Sequence, residues 1–400
     1  MITATHLMDL EKKYGAHIYS PLPLVLTKAK GIHAWDDQGK QYIDMMSAYS
    51  AVSHGHCHPR LVKILQQQAE TLVITSRSYY SDKLGVFLQA LAEYSGYEQI
   101  VPMNTGAEAV ETALKVAHKW AYKVKGVPEN KAEIIVCNGN FHGRTTAIIG
   151  LSSDEQYRDG FGPFPAGNKL VEYGNPEALE KAITPNTAAF LVEPIQGEAG
   201  IKMPPEGYLR ACKAICEKHN VLFLADEIQA GLGRTGKRFA CDHENVRPDG
   251  LILGKALGGG MLPVSAFLAD HHIMDVLHPG DHGSTFGGNA LSAAVATEAL
   301  KILQEEKLAE NSAELGKYFL EQLQQLKHPA IASVRGKGLF IGLEIKENST
   351  WQARDFCLQL MEKGLLSKET HETVIRFAPP LVITKAQIDE ALKIIREVFQ

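Results

Sequence analysis

Between residues 99 and 268 the chain alternates short, almost unbroken apolar runs with stretches in which apolar positions recur every three or four residues. QIVPM, EIIVCN, AAFLVEP, VLFLADE, GLILGK and VSAFLA are of the first kind, and a continuous apolar run is what a strand covered on both faces requires. AEAVETALKVAHKWA and PEGYLRACKAICEKHN are of the second kind and predict helices with one buried stripe. The alternation predicts an α/β domain with a mostly parallel sheet. Beyond a long helical stretch starting near Asn289 the pattern changes to strand pairs, IASVRGKGLFIGLEI and TVIRFAPP, with two further helices, which predicts a smaller α+β domain. The expected division is residues 1–45 as an amino-terminal segment joining the small domain, 46–300 as the large ligand-binding domain, and 301–400 as the carboxy-terminal small domain.

Composition narrows the functional classes. Of 400 residues, 45% are hydrophobic and 22% charged, the balance of an ordinary globular protein. The net charge of −5 gives no electrostatic reason to expect nucleic acid or an anionic membrane as partner, and points to small molecules instead. Six cysteines without C-x-x-C spacing suggest neither a disulfide framework nor a zinc knuckle. Cys212 and Cys216 share a helical face with Leu209 and Ile215 and are expected in the core. The start, MITATHLMDLEKKYGAH, lacks the features of a signal or transit peptide, and no apolar run approaches the ~18 residues of a membrane span, so a cytoplasmic location is expected. The HGHCH run places His54, His56 and His58 in alternation without a supporting carboxylate or downstream ligand set, and no metal is expected there.

The stretch VLFLADEIQAGLGRTGKR matches two nucleotide-binding patterns and satisfies neither. A phosphate loop needs Ser or Thr after its Lys, and position 238 is Arg; a dinucleotide fingerprint follows its strand directly, whereas here Asp226, Glu227, Ile228 and Gln229 intervene. The glycines are expected to form a tightly packed loop. Asp226 ends a strongly apolar strand, where a carboxylate needs a cation opposite it. Another apolar strand ends in Lys255, followed by Ala, Leu and three glycines. By itself a strand-end Lys is commonly just exposed; if desolvated, it has a lowered pKa and acts as a nucleophilic amine. Together the pair suggests pyridoxal 5′-phosphate (PLP), which needs a lysine for its aldehyde, an acid for its ring nitrogen and a cradle for its phosphate. Thr105 and Glu108 form a T-x-x-E capping box after the strand QIVPM, and Gly106 and Ala107 would present free N–H groups to an anion, although a capping box alone marks only a helix start.

With these pieces in order, the sequence resembles the class III, or ω-, aminotransferases of the fold type I PLP enzymes. The resemblance runs along nearly the whole chain through NTGAEAVETALK, NFHGRT, EPIQGEAG, LADEIQAGLGRTGK, GKALGGG and STFGGN. GAHIYSPLP, MMSAYSAVSHGHCHP and VIRFAPPLVIT are most similar to the members that take ornithine. The resemblance implies the PLP-dependent transferase fold type I, with Lys255 holding the cofactor and shuttling protons and Asp226 pairing with its ring nitrogen. It also implies Gln229 at the ring's 3-oxygen, Phe141 stacked on the ring, and Thr105, Gly106 and Ala107 around the phosphate. Ser284 and Thr285 would reach that phosphate from another subunit, which implies a homodimer or larger homo-oligomer. Ornithine and 2-oxoglutarate are the implied substrates, with N-acetylornithine or another ω-amino acid such as 4-aminobutyrate as the alternative donor. Arg376, masked by Glu198 when ornithine is bound, would take the α-carboxylate of 2-oxoglutarate. Arg144 would bind ornithine's carboxylate with Tyr19, and Tyr49 would favour ornithine's free α-amino group. Glu193, at the end of its strand, is expected to be a supporting structural carboxylate.

Overall fold

Thr187–Val192 is buried at every position, as are Leu222–Asp226, Gly250–Leu253 and Ser265–Ala269. Each large apolar side chain fully withdrawn from water contributes roughly 1.5–3 kcal/mol, so these strands are stable only in the middle of a sheet covered on both sides. A computed structural model of the chain describes residues 3–400; the first two positions of the expected amino-terminal segment lie outside the described residues. Among the described residues the large sheet has seven strands, in the order Gln99–Met103, Ser265–Ala269, Gly250–Leu253, Leu222–Asp226, Thr187–Val192, Glu133–Cys137 and Asn168–Val171. Pairing is parallel from Gly250–Leu253 to Asn168–Val171. Ser265–Ala269 runs antiparallel to both of its neighbours. The edge strand Asn168–Val171, with only Val171 fully buried, lacks the apolar run that marks the others.

Gly106–Trp120 is helical because Thr105 and Glu108 close a capping box at its start, and because Ala109, Val110, Ala113, Leu114, Val116, Ala117 and Trp120 all fall on buried positions. That face packs across the sheet and aims the helix amino terminus at the carboxyl ends of the parallel strands. Two smaller sheets lie beyond. Leu26–Lys30, His33–Asp36 and Gln41–Asp44 form a meander, joined in parallel by Leu365–Leu366 with Ile43 opposite Leu365. Ile331–Lys337, Phe340–Ile345, Val374–Phe377 and Lys368–Thr370 form an antiparallel sheet. One apolar cluster includes Phe190 and Phe223 of the large sheet together with Phe319 and Phe377, so the two parts share a core.

The glycines of the double nucleotide pattern pack as a tight loop. A Cβ on Gly236 would lie 2.8 Å from Ala313 Cα, on the helix Leu308–Gln324, and the backbone there is left-handed at φ +91°. The three histidines go to three different partners: His54 to the Ala299 carbonyl, His56 to Asp44 and His58 to Glu306. Cys212 and Cys216 are fully buried. Among the described residues no helix is long and apolar enough to cross a membrane.

Candidate active site

Asp226 and Lys255 leave adjacent strands at the same end of the sheet and line one cavity. Lys255 has a left-handed backbone, φ +47°, at the turn that follows Gly250–Leu253. This conformation costs a non-glycine residue about 1–2 kcal/mol and is concentrated at functional sites. Burial lowers the Lys255 pKa, opposed by the charges of Glu198 and Asp226. The partner of Asp226 within the chain is His142, whose Nδ1 lies 2.7 Å from Asp226 Oδ2 with both side chains buried. Burial works against the imidazolium, but Asp226 overcomes it and the His142 pKa is raised. Glu193, also buried, is pushed up to about 7, chiefly by desolvation. Its oxygens accept the Phe141 and Gly197 amides at 2.8 and 3.3 Å, so it holds the two loops that wall the cavity.

The other walls are Gly106, Ala107, Phe141, Gly143, Ile228 and Gln229. Thr105 Oγ1 accepts the Glu108 amide, and among the described residues the Gly106 and Ala107 amides donate to no backbone or side-chain acceptor. His142 Nε2 is buried without a partner, and Lys255 Nζ has no hydrogen-bonded group among the described residues. An amine, a carboxylate with a buried imidazole behind it, an aromatic ring and two free amides at a helix start match the aldehyde, ring nitrogen, ring face and phosphate of PLP. The residues present fit the group.

Gln229 links this cavity to a second cluster. Its Oε1 accepts from Arg376 Nη1 and its Nε2 donates to Glu198 Oε1, both at 3.1 Å, while Arg376 Nη1 also donates to Glu198 Oε1 at 3.1 Å. The approach needs Gly197: a Cβ there would fall 2.4 Å from Gln229 Oε1. Arg376 is 1% exposed. Burial would raise the Glu198 pKa, but Arg376 brings it down to about 2. A depressed carboxylate stabilises the fold fully above its ordinary pKa of 4.5 and loses that contribution as pH falls towards 2. Glu198→Gln is therefore expected to lower stability at pH 7 by on the order of 3 kcal/mol, the lower end for breaking a buried pair because Glu198 keeps some exposure. The difference from the unaltered protein should close between pH 4.5 and 2, as read from urea midpoints across that range.

The Tyr49 ring covers the Arg376 guanidinium at 5.1 Å. Arg144 lies 3.6 Å from the Tyr157 ring centroid and 5.4 Å from that of Phe141, which puts it at the cavity rim. Tyr19 is 84% exposed, makes no side-chain hydrogen bond among the described residues and is not brought against Arg144. Nor are Ser284 and Thr285 brought into the Lys255 cavity; they line a separate open cleft with Arg77 and Pro102, where Ser284 Oγ accepts from Asn104 Nδ2 at 3.0 Å. His142 is the functional neighbour that sequence reasoning missed. It sits in NFHGR beside Phe141, and the requirement for a cation opposite Asp226 was the signal that could have found it.

Sheet order, cavity and cradle define a PLP-dependent transferase of fold type I. The family model for class III aminotransferases matches residues 14–399, and the chain belongs to that family. It is 55% identical over 399 residues to an ornithine aminotransferase of Geobacillus sp. (strain WCH70), covering 100% of this chain and 99% of the relative. Among solved structures, an ornithine aminotransferase of Toxoplasma gondii described with PLP partly occupying its active site superposes with a TM-score of 0.98 at 44% identity, covering 100% of this chain and 94% of that one. An acetylornithine aminotransferase of Elizabethkingia anophelis superposes with a TM-score of 0.91 at 48% identity, covering 100% and 99%.

Proposed function

We propose that the chain transfers the δ-amino group of L-ornithine to 2-oxoglutarate, yielding L-glutamate 5-semialdehyde and L-glutamate. The observation that carries this reading is the buried Arg376–Glu198 pair, covered by Tyr49 and joined through Gln229 to the Lys255 cavity. The two substrates differ in shape: one reacts at a terminal amine, the other at a carbon next to a carboxylate. A guanidinium that a neighbouring carboxylate can mask or release serves both. With ornithine, Glu198 keeps Arg376 neutralised. With 2-oxoglutarate, the α-carboxylate takes the place of Glu198 on the same fork.

Arg144, beside the Phe141 and Tyr157 rings, would bind the carboxylate at the far end of either substrate, with Tyr19 as its expected partner there. Lys255, Asp226, Gln229, Phe141, Thr105 and the amides of Gly106 and Ala107 would hold PLP, which supplies an aldehyde for the substrate amine and a cationic ring that draws electrons from the neighbouring carbon. Lys255 Nζ, its pKa lowered by burial, accepts the proton from the substrate carbon that bears the transferred nitrogen. Asp226, fixed by His142, holds positive charge at the deep end of the cavity. The separation of Ser284 and Thr285 from their own chain's cavity supports a homodimer, or a larger homo-oligomer, in which they complete a neighbouring site. The same reading takes residues 46–300 as the cofactor-binding domain and the two flanking segments as the small domain.

The deciding experiment supplies ornithine, N-acetylornithine, lysine and 4-aminobutyrate separately with 2-oxoglutarate and compares rates of glutamate formation. Ornithine is expected to be fastest. The likeness to the Elizabethkingia enzyme favours N-acetylornithine as the second reading, and a faster rate with that donor would replace the first. Within the site, Tyr49→Ile is expected to reduce the preference for ornithine over N-acetylornithine at least about tenfold, because a hydrogen bond to a charged amine contributes roughly 1.5–3 kcal/mol. The ratio of kcat/KM values for the two donors measures this directly.

A further inference from the structure

Besides Arg376, the chain buries a second arginine completely. Arg234, in the glycine loop that resembles a nucleotide motif, is 0% exposed and has no carboxylate within ion-pair distance among the described residues. Burial pushes its pKa down to about 9. A guanidinium so placed needs its acceptors, and they come from three separate segments. Nη1 donates to the Leu339 and Pro379 carbonyls at 2.9 and 2.6 Å. Nη2 donates to Ser53 Oγ and Ser47 Oγ at 3.0 and 3.3 Å.

Both hydroxyls pass the bond on. Ser53 Oγ donates to the Ser50 carbonyl at 2.9 Å, and Ser47 Oγ donates to the Ala378 carbonyl at 2.6 Å. Ser47 and Ser50 are the two ends of a left-handed turn in which Ser47, Ala48, Tyr49 and Ser50 have φ of 45°, 48°, 58° and 71°. Four consecutive non-glycine residues in this conformation are strongly disfavoured and persist only where their surroundings over-determine them. The turn carries Tyr49; Ala378 and Pro379 directly follow the strand that carries Arg376.

We propose that Arg234 is a positioning residue for donor selection, clamping the left-handed turn 47–50 to the segment after Arg376 so that the Tyr49 ring stays over the Arg376 guanidinium. The inference rests on the reading of Tyr49 as the residue that favours ornithine. A planar fork reaches four acceptors in three segments at once, whereas an ammonium cannot. Without the clamp the turn relaxes towards right-handed geometry and Tyr49 leaves Arg376, while Lys255, Asp226 and the helix at Gly106 stay where they are.

The test uses Arg234→Lys and the milder Ser53→Ala, each as holoenzyme, with Tyr49→Ile as reference. For both variants the ratio of kcat/KM for ornithine to that for N-acetylornithine should narrow about tenfold, the effect of losing one hydrogen bond to a charged group, through a raised KM for ornithine with little change in kcat. Crystal structures of the variants should show positive φ lost in residues 47–50 and the Tyr49 ring displaced. A lowered melting temperature with an unchanged donor ratio and an intact turn overturns the proposal and leaves Arg234 a structural residue. If Arg234→Lys does not fold, Ser53→Ala decides alone by the same two measurements. If Tyr49→Ile leaves the ratio unmoved, the reading of Tyr49 fails; the torsions of the turn in Ser53→Ala then decide the clamp by themselves.

Discussion

Lys255→Ala is expected to lower the rate of glutamate formation from ornithine by at least about 10²–10⁴-fold, the usual contribution of one positioned proton-transfer group. Several features of the site point the same way. The lysine is half-buried, its pKa is lowered by desolvation, and it has no carboxylate at hydrogen-bond distance. Its turn keeps a left-handed backbone that alanine tolerates no better, so the substitution removes the amine without relieving the turn. Folding should change little, since deleting an amine without a hydrogen-bonded partner leaves no buried partner behind. The measurement is single-turnover conversion of ornithine alongside a thermal melt. A variant that turns over at the unaltered rate would remove Lys255 from the chemistry.

Asp226→Asn is expected to lower kcat by about 10²–10³-fold, the range found when one preorganised electrostatic group is removed from a reacting centre. The asparagine keeps the shape and can still accept the Ile228 amide, which now bonds Asp226 Oδ1 at 3.1 Å. It cannot hold the His142 pKa up, which Asp226 now raises against the cost of burial, with a smaller contribution from Glu193. The His142 titration should therefore move downward in the variant, as nitrogen chemical shifts of the imidazole would report. A small change in urea midpoint with the full loss of kcat separates this electrostatic role from a merely structural one. Unchanged turnover would mean that Asp226 does not face the reacting group.

Much of this was legible in the sequence because burial on both faces leaves a plain trace. VLFLAD and GLILGK have no polar residue until the last position, so Asp226 and Lys255 stood out as charges where burial is costly. The capping box at Thr105 was readable for a similar reason: two side chains three apart close the helix start. Other features left no such trace. The antiparallel sense of Ser265–Ala269 is invisible, since an apolar strand reads alike in both directions. The edge strand Asn168–Val171 and the helix Ala4–Tyr14 bury too little to show a pattern. The left-handed turn 47–50 contains no glycine, so nothing in SAYS announces it, and the role of His142 depends on a contact 84 positions away in the chain.

The reversed strand also fixes a dimension. Ser265 pairs with Met103 on one side, and Ala266 pairs with Leu253 on the other. The segments that carry the helix-start amides and the lysine therefore emerge on either flank of the first two residues of this strand, and Ser265 also donates its hydroxyl to the Thr105 carbonyl at 2.6 Å. Their spacing is two interstrand steps, about 10 Å at the usual 4.7–4.9 Å each. It is thus set by main-chain hydrogen bonding, and mutations among the surrounding side chains can alter what enters the cleft while leaving the separation of these two backbone segments the same.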